Sequence, residues 1–132
     1  MWRDHLFLDD MDVEYIAKEY NYKFEEIKRA KEYLFKNDDL LDAVNVTMWE
    51  LAKSGKKHPS VTNFISHEII QSGKMQKEKI SFLNTAARDA AWPKLHAETL
   101  AEQNLPPASL FHPDVIAQYS LEFGSRYHNY WK

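Results

Sequence analysis

Six histidines, His5, His58, His67, His96, His112 and His128, are the side chains in this 132-residue chain best suited to moving protons or holding metals. None stands in an HxxxH, HExxH or HxH pattern, and none follows a Glu by three residues as the ligands of di-iron bundles do. No metal and no cofactor are therefore expected. His67 adjoins Glu68, and His96 lies two residues from Glu98, but neighbours in a helix point roughly 100° apart, so neither pair faces a common point. A catalytic centre would have to assemble His67, Arg88, His96 and nearby acids across separate helices. No GxSxG is present to supply a serine nucleophile, and the absence of cysteine excludes thiol chemistry, disulfide scaffolds and thiolate zinc sites. The 3 glycines, Gly55, Gly73 and Gly124, are too far apart to write GxGxxG or GxxxxGK[ST], which excludes the two common phosphate-binding loops.

Charge is the second source of chemistry. The net charge of −3 conceals a division: residues 1–50 hold 7 basic against 13 acidic side chains, and residues 51–132 hold 10 against 7. Asp9, Asp10, Asp12, Glu14 and Glu19 crowd the acidic end, and such a cluster steers a basic partner. Lysines concentrate between Lys53 and Lys79, in KSGKKHP at 53–59 and GKMQKEK at 73–79. Lysine without arginine or interleaved aromatics supplies attraction to phosphates but little base readout. Aromatics are plentiful, with 4 Trp, 7 Tyr and 7 Phe, and several lie near the ends: Trp2, Phe7, Tyr127, Tyr130 and Trp131. Tyr and Trp are favoured anchors of protein interfaces.

The segment from Asp12 to Lys31, DVEYIAKEYNYKFEEIKRAK, resembles a helix-turn-helix. Ile16 and Ala17 take the apolar-small pair of the first helix, Asn21 the turn, Tyr20 and Tyr22 its flanks, and Ile27 and Ala30 the buried positions of the second helix. The resemblance implies a DNA-reading helix bearing Lys23, Lys28, Arg29 and Lys31, aided by Lys56 and Lys57 from the lysine loop. The segment departs from that family in having Asn where glycine is usual and in placing Glu25, Glu26 and Glu32 on the second helix. Phosphate neutralisation works against such a local charge, which leaves duplex binding as the alternative.

The elements that must position these groups are helical. Val13, Ile16, Ala17 and Tyr20 follow the i, i+3, i+4, i+7 rule, and the Asn21-Tyr22 step ends that helix. Phe24, Ile27, Ala30 or Lys31, Leu34 and Phe35 define a second helix ending near Asn37. A third, capped by Asp38 or Asp39, carries Leu40, Leu41, Val44, Met48, Leu51 and Ala52. Ser60 is expected to cap a fourth with Val61, Phe64, Ile65 and Ile69, closed by Gly73. A fifth, with Ile80, Leu83, Ala87, Ala90 and Ala91 inward, should break at Pro93 and restart for Leu95 to Gln103. Asn104 to His112 reads as a loop with at most one helical turn and with His112 at a cap position. Pro113 opens a last helix with Ile116, Tyr119, Phe123, Tyr127 and Tyr130 on one stripe.

The predicted architecture is all-α: a single compact domain, residues 1–132, of six or seven short helices in an irregular bundle. By area scaling a chain of this size buries about 68% of its unfolded surface, enough for a core without staples. No apolar run approaches the ~18 residues of a membrane span and the first residues do not read as a signal peptide, so a soluble, cytoplasmic protein without membrane contact is expected. The expected role is that of a non-enzymatic regulator or adaptor that binds another protein through the acidic helix pair. Nucleic acid is the alternative partner, and a small helical enzyme the third reading.

Overall fold

A computed structural model of the chain describes residues 10–35, 43–55 and 57–119. The elements are α1 (Met11–Tyr20), α2 (Phe24–Phe35), α3 (Ala43–Lys53), α4 (Pro59–Lys77), α5 (Thr85–Gln103), a 3-10 turn (Pro107–Leu110) and α6 (Pro113–Gln118). The fold is all-α, and no strand occurs among the described residues. The expected helix end at Asn37, the Asp38 or Asp39 cap, and the terminal aromatics Trp2, Phe7, Tyr127, Tyr130 and Trp131 lie outside them.

The connection between α1 and α2 is tight because Asn21 takes the left-handed conformation, φ 61° and ψ 50°, which asparagine tolerates better than most residues. Its amide and that of Tyr22 both return to the Ala17 carbonyl. Glu26 then reaches back to accept from the Lys23 amide at 3.0 Å, half of a capping box that starts α2.

Helix α4 is the axis of the molecule, packed against α2, α3, α5 and the 3-10 turn. Four expectations fail along α4 and α5. His58, not Ser60, caps α4: its ring nitrogen accepts from the Ser60 amide, with Pro59 in the first turn. Gly73 does not end the helix, which continues to Lys77. What Gly73 provides is room, since a Cβ there would lie 3.2 Å from Nη2 of Arg29 on α2. Helix α5 begins only at Thr85, capped by Asn84, so Ile80 and Leu83 precede it and Leu83 is exposed. It then runs through Pro93 unbroken to Asn104, another left-handed residue. Both Pro93 and Asp89, whose carbonyl a proline four residues on cannot serve, are exposed.

The principal core joins Val13, Ile16 and Ala17 of α1, Ile27, Ala30, Leu34 and Phe35 of α2, Met48, Trp49 and Ala52 of α3, and Val61, Phe64, Ile65 and Ile69 of α4. Each large apolar side chain so buried stabilises the fold by about 1.5–3 kcal/mol. Phe35 meets Trp49 edge-on, with ring centroids 5.6 Å apart. A smaller cluster, Tyr33, Met75 and Leu95 with Ile80, Phe82, Ala91 and Trp92 around it, closes the α2–α4–α5 end.

Candidate functional site

Folding sorts the sequence-predicted contact residues into two sets. Asp12, expected on the surface, is buried: its carboxylate accepts from Lys31 Nζ at 2.9 Å and from Trp49 Nε1 at 2.8 Å. Position 12 falls on the Val13–Ile16 side of α1, and the inward carboxylate ties α1, α2 and α3 together. Asp10 is half-buried and bound to Lys28 through both oxygens, at 2.8 and 2.9 Å. Glu14 and Glu19 are exposed, and Asp9 lies outside the described residues.

The same contacts use up the basic groups of the helix-turn-helix reading. Lys31 is fully buried against Asp12, and Lys28 holds Asp10. Arg29 turns inward to α4, donating from Nη2 to the Ile69 carbonyl at 2.7 Å and from Nε to Ser72 Oγ at 3.0 Å. These three side chains are therefore not presented on an outer face of α2, and Lys23 is the member of that set left exposed. Lys57 folds back onto α1, donating to the Glu19 carbonyl at 3.0 Å, lying 3.5 Å from its carboxylate and sitting 5.5 Å from the Tyr20 ring centre. The lysine loop thus neutralises part of the acidic helix it was expected to oppose. Lys56 lies outside the described residues.

Apolar side chains complete the outer face of this helix pair. Among the described residues the exposed large hydrophobics are Met11 (72%), Tyr15 (38%), Phe24 (38%) and Leu83 (58%), and three of these four belong to α1 and α2. Met11 and Tyr15 are one turn apart, off the buried stripe, with Glu14 and Glu19 beside them. The sequence signal was present: two apolar residues at i, i+4 out of phase with Val13 and Ile16.

His67 and His96, named for an enzyme site, do meet. His67 Nε2 lies 3.0 Å from His96 Nδ1, and His67 Nδ1 lies 2.9 Å from Gln103 Oε1. Because Oε1 only accepts, His67 Nδ1 carries a proton; neutral His67 then accepts at Nε2 from His96 Nδ1–H. Burial holds the His67 pKa below its ordinary value, opposed by hydrogen bonds with Gln103 and Gln71, so neutral His67 is favoured. Trp92 stacks on the His96 ring at 4.2 Å.

Arg88 goes elsewhere. Its guanidinium donates to the carbonyls of Tyr33 (2.7 Å) and Phe82 (2.8 Å) and covers the Tyr33 ring. Glu68, also buried, has its carboxyl pushed up to about 8 by desolvation, with Arg88 pulling part of the way back. Burial likewise raises the Tyr33 phenol, whose oxygen accepts from Gln71 Nε2 at 2.8 Å. This is an interior polar seam between α2, α4 and α5.

A groove of about 470 Å³ lies apart from the seam, between the start of α4, the 3-10 turn and α6. Its walls include His58, Asn63, Phe111, Pro113, Ile116 and Ala117. His112 caps α6 as expected, its Nδ1 accepting from the Asp114 amide at 3.0 Å, and its ring lies 4.4 Å from that of His58. Among the described residues no group of three or more His, Asp or Glu could hold a metal, and no helix is long and apolar enough to cross a membrane.

Comparison with known proteins gives no match: no protein family, no curated protein and no solved structure is similar to this chain.

Proposed function

We propose that the chain is a non-enzymatic regulator or adaptor that binds another protein through the outer face of α1 and the first turn of α2. Met11, Tyr15 and Phe24 act as apolar anchors, and exposed Glu14 selects a basic rim on the partner, with Glu19, an exposed carboxylate shared with Lys57, adding to it. The observation that carries this reading is the concentration of exposed large apolar side chains on this acidic helix pair. A surface that mixes aromatic or methionine anchors with charge of one sign combines contact area with steering. Asp12 has no part in the contact, because its carboxylate is committed to Lys31 and Trp49.

Duplex binding by α2 has less support, since Lys28, Arg29 and Lys31 are engaged inside the molecule. The histidine pair supports an internal structural role, both nitrogens of His67 being engaged, by His96 Nδ1 and by Gln103.

The test is photo-crosslinking in the source cells, with a benzophenone amino acid replacing Tyr15, Phe24 or, as a control on α5, Asp89. A defined protein adduct from positions 15 and 24, absent from position 89 and lost when Glu14 and Glu19 become lysine, is the expected result. Equal labelling from all three positions, or none from 15 and 24, overturns the reading. Anisotropy of a labelled DNA duplex at about 50 mM salt, where phosphate contacts are strong, should show no binding.

A further inference from the structure

We propose that His58 and His112 form a coupled, pH-sensitive pair of helix caps at the rim of the groove, whose joint protonation loosens the first turns of α4 and α6. The geometry is symmetric in kind. Each imidazole sits at a helix N-cap with extended backbone, and each uses Nδ1 to accept a backbone N–H: Ser60 for His58 at 3.1 Å, Asp114 for His112 at 3.0 Å. An Nδ1 that accepts carries no proton, so both caps require the neutral tautomer with hydrogen on Nε2. The two rings are 4.4 Å apart, which places any two positive charges on them in close repulsion.

Each histidine also has a local alternative once protonated. Ser60 Oγ lies 2.7 Å from His58 Nδ1 and accepts from it in the charged form, leaving the buried Ser60 amide without its acceptor. The Asp114 carboxylate lies 3.7 Å from His112 Nδ1 and draws the ring from the Asp114 amide to its own side chain. Protonation therefore removes both caps together.

The other charged groups around the pair are engaged elsewhere. On α3, Glu50 and Lys53 pair at 3.8 Å, while Met48 Sδ accepts from the His112 amide. Lys57, next to His58, points to Glu19 on α1. The Tyr119 hydroxyl is bonded to Thr47, the α4 side offers the neutral Ser60 and Asn63, and the 3-10 turn has no ionisable residue. Asp114 is thus the anion placed to take up the imidazolium. Phe111, Ile116 and Ala117 form one wall of the groove and α4 the other, so both capped first turns stand at its rim, while Asn63 Nδ2, donating to the Ser109 carbonyl at 3.1 Å, ties α4 to the 3-10 turn independently of the histidines.

Amide hydrogen exchange of the full chain, read by NMR at about pH 7.5 and about pH 5.5 and corrected for intrinsic rates, tests the paired caps. Protection of Ser60, Asp114, Val115 and Ile116 should fall roughly fivefold or more at the lower pH, the factor that loss of one cap corresponds to at each helix start. Phe64 to Ile69 should keep theirs. The double variant His58→Asn/His112→Asn, which retains capping oxygens that do not titrate, should stay protected at both pH values. Unchanged protection in the parent chain, equal loss in the double variant, or parallel loss across Phe64 to Ile69 each overturns the proposal.

Discussion

The carboxylate of Asp12 and the ammonium of Lys31 meet at 2.9 Å inside the protein, Lys31 fully buried and Asp12 7% exposed. Sequence reasoning named these residues in two alternative readings of one helix pair, Asp12 as a protein contact and Lys31 as a DNA contact. In the fold they neutralise each other, and Trp49 Nε1 satisfies the second carboxylate oxygen at 2.8 Å.

Removing one partner of that pair strands a buried charge. Asp12→Ala should lower unfolding stability by about 3–5 kcal/mol in urea titrations. The double variant Asp12→Ala/Lys31→Met should recover part of the loss, because no uncompensated ammonium remains, though Trp49 Nε1 still lacks its acceptor. A purely additive pair of losses would contradict the contact as described.

Glu68 should make the fold less stable as pH rises. Its carboxyl is raised from 4.5 to about 8, so between those values the folded chain holds a proton that the unfolded chain has released. By linkage, its contribution is fully present below about 4.5 and is lost as pH climbs through 8. Glu68→Gln should therefore stabilise the protein near pH 8 by an amount on the order of a few kcal/mol, with the gain shrinking toward pH 4.5. Thermal unfolding of both proteins across that range checks it.

His67 acts with the opposite sign one residue away. Its pKa is lowered by burial, so on acidification the unfolded chain takes up a proton that folded His67 resists. Stability should fall as pH drops below about 6.5, the ordinary histidine value, and the slope should flatten in His67→Gln. The same titration in His58→Asn/His112→Asn separates this effect from that of the capping histidines.

Pro93 occupies the interior of α5 without interrupting it. An interior proline costs about 3 kcal/mol relative to alanine, reduced here because Pro93 and Asp89 are exposed and because proline also restricts the unfolded chain. Pro93→Ala should raise stability by about 1–2 kcal/mol and leave the amide spectrum of α1–α3 unchanged.

Periodicity alone determined much of this protein. The helical class, the α1 stripe, the α2 stripe from Ile27 to Phe35, the turn at Asn21, the Pro113 start of α6 and the His112 cap follow from rules that act over a few residues, and the structure places each where those rules put it, whereas Phe24, assigned to the α2 stripe, is exposed. Helix ends that depend on neighbours did not follow. Gly73 reads as a stop, but packing against Arg29 makes it a point of close approach; Pro93 reads as a break, but contacts along α5 carry the helix through it. The destination of each charge was likewise decided by tertiary structure. Asp12 with Lys31, Asp10 with Lys28, Glu19 with Lys57 and His67 with His96 are separated by 18 to 38 residues, and local rules are blind to such pairings. Whether a lysine meets a phosphate, a partner or its own chain depends on which surfaces the core brings face to face, and the core closes only when all the helices pack at once.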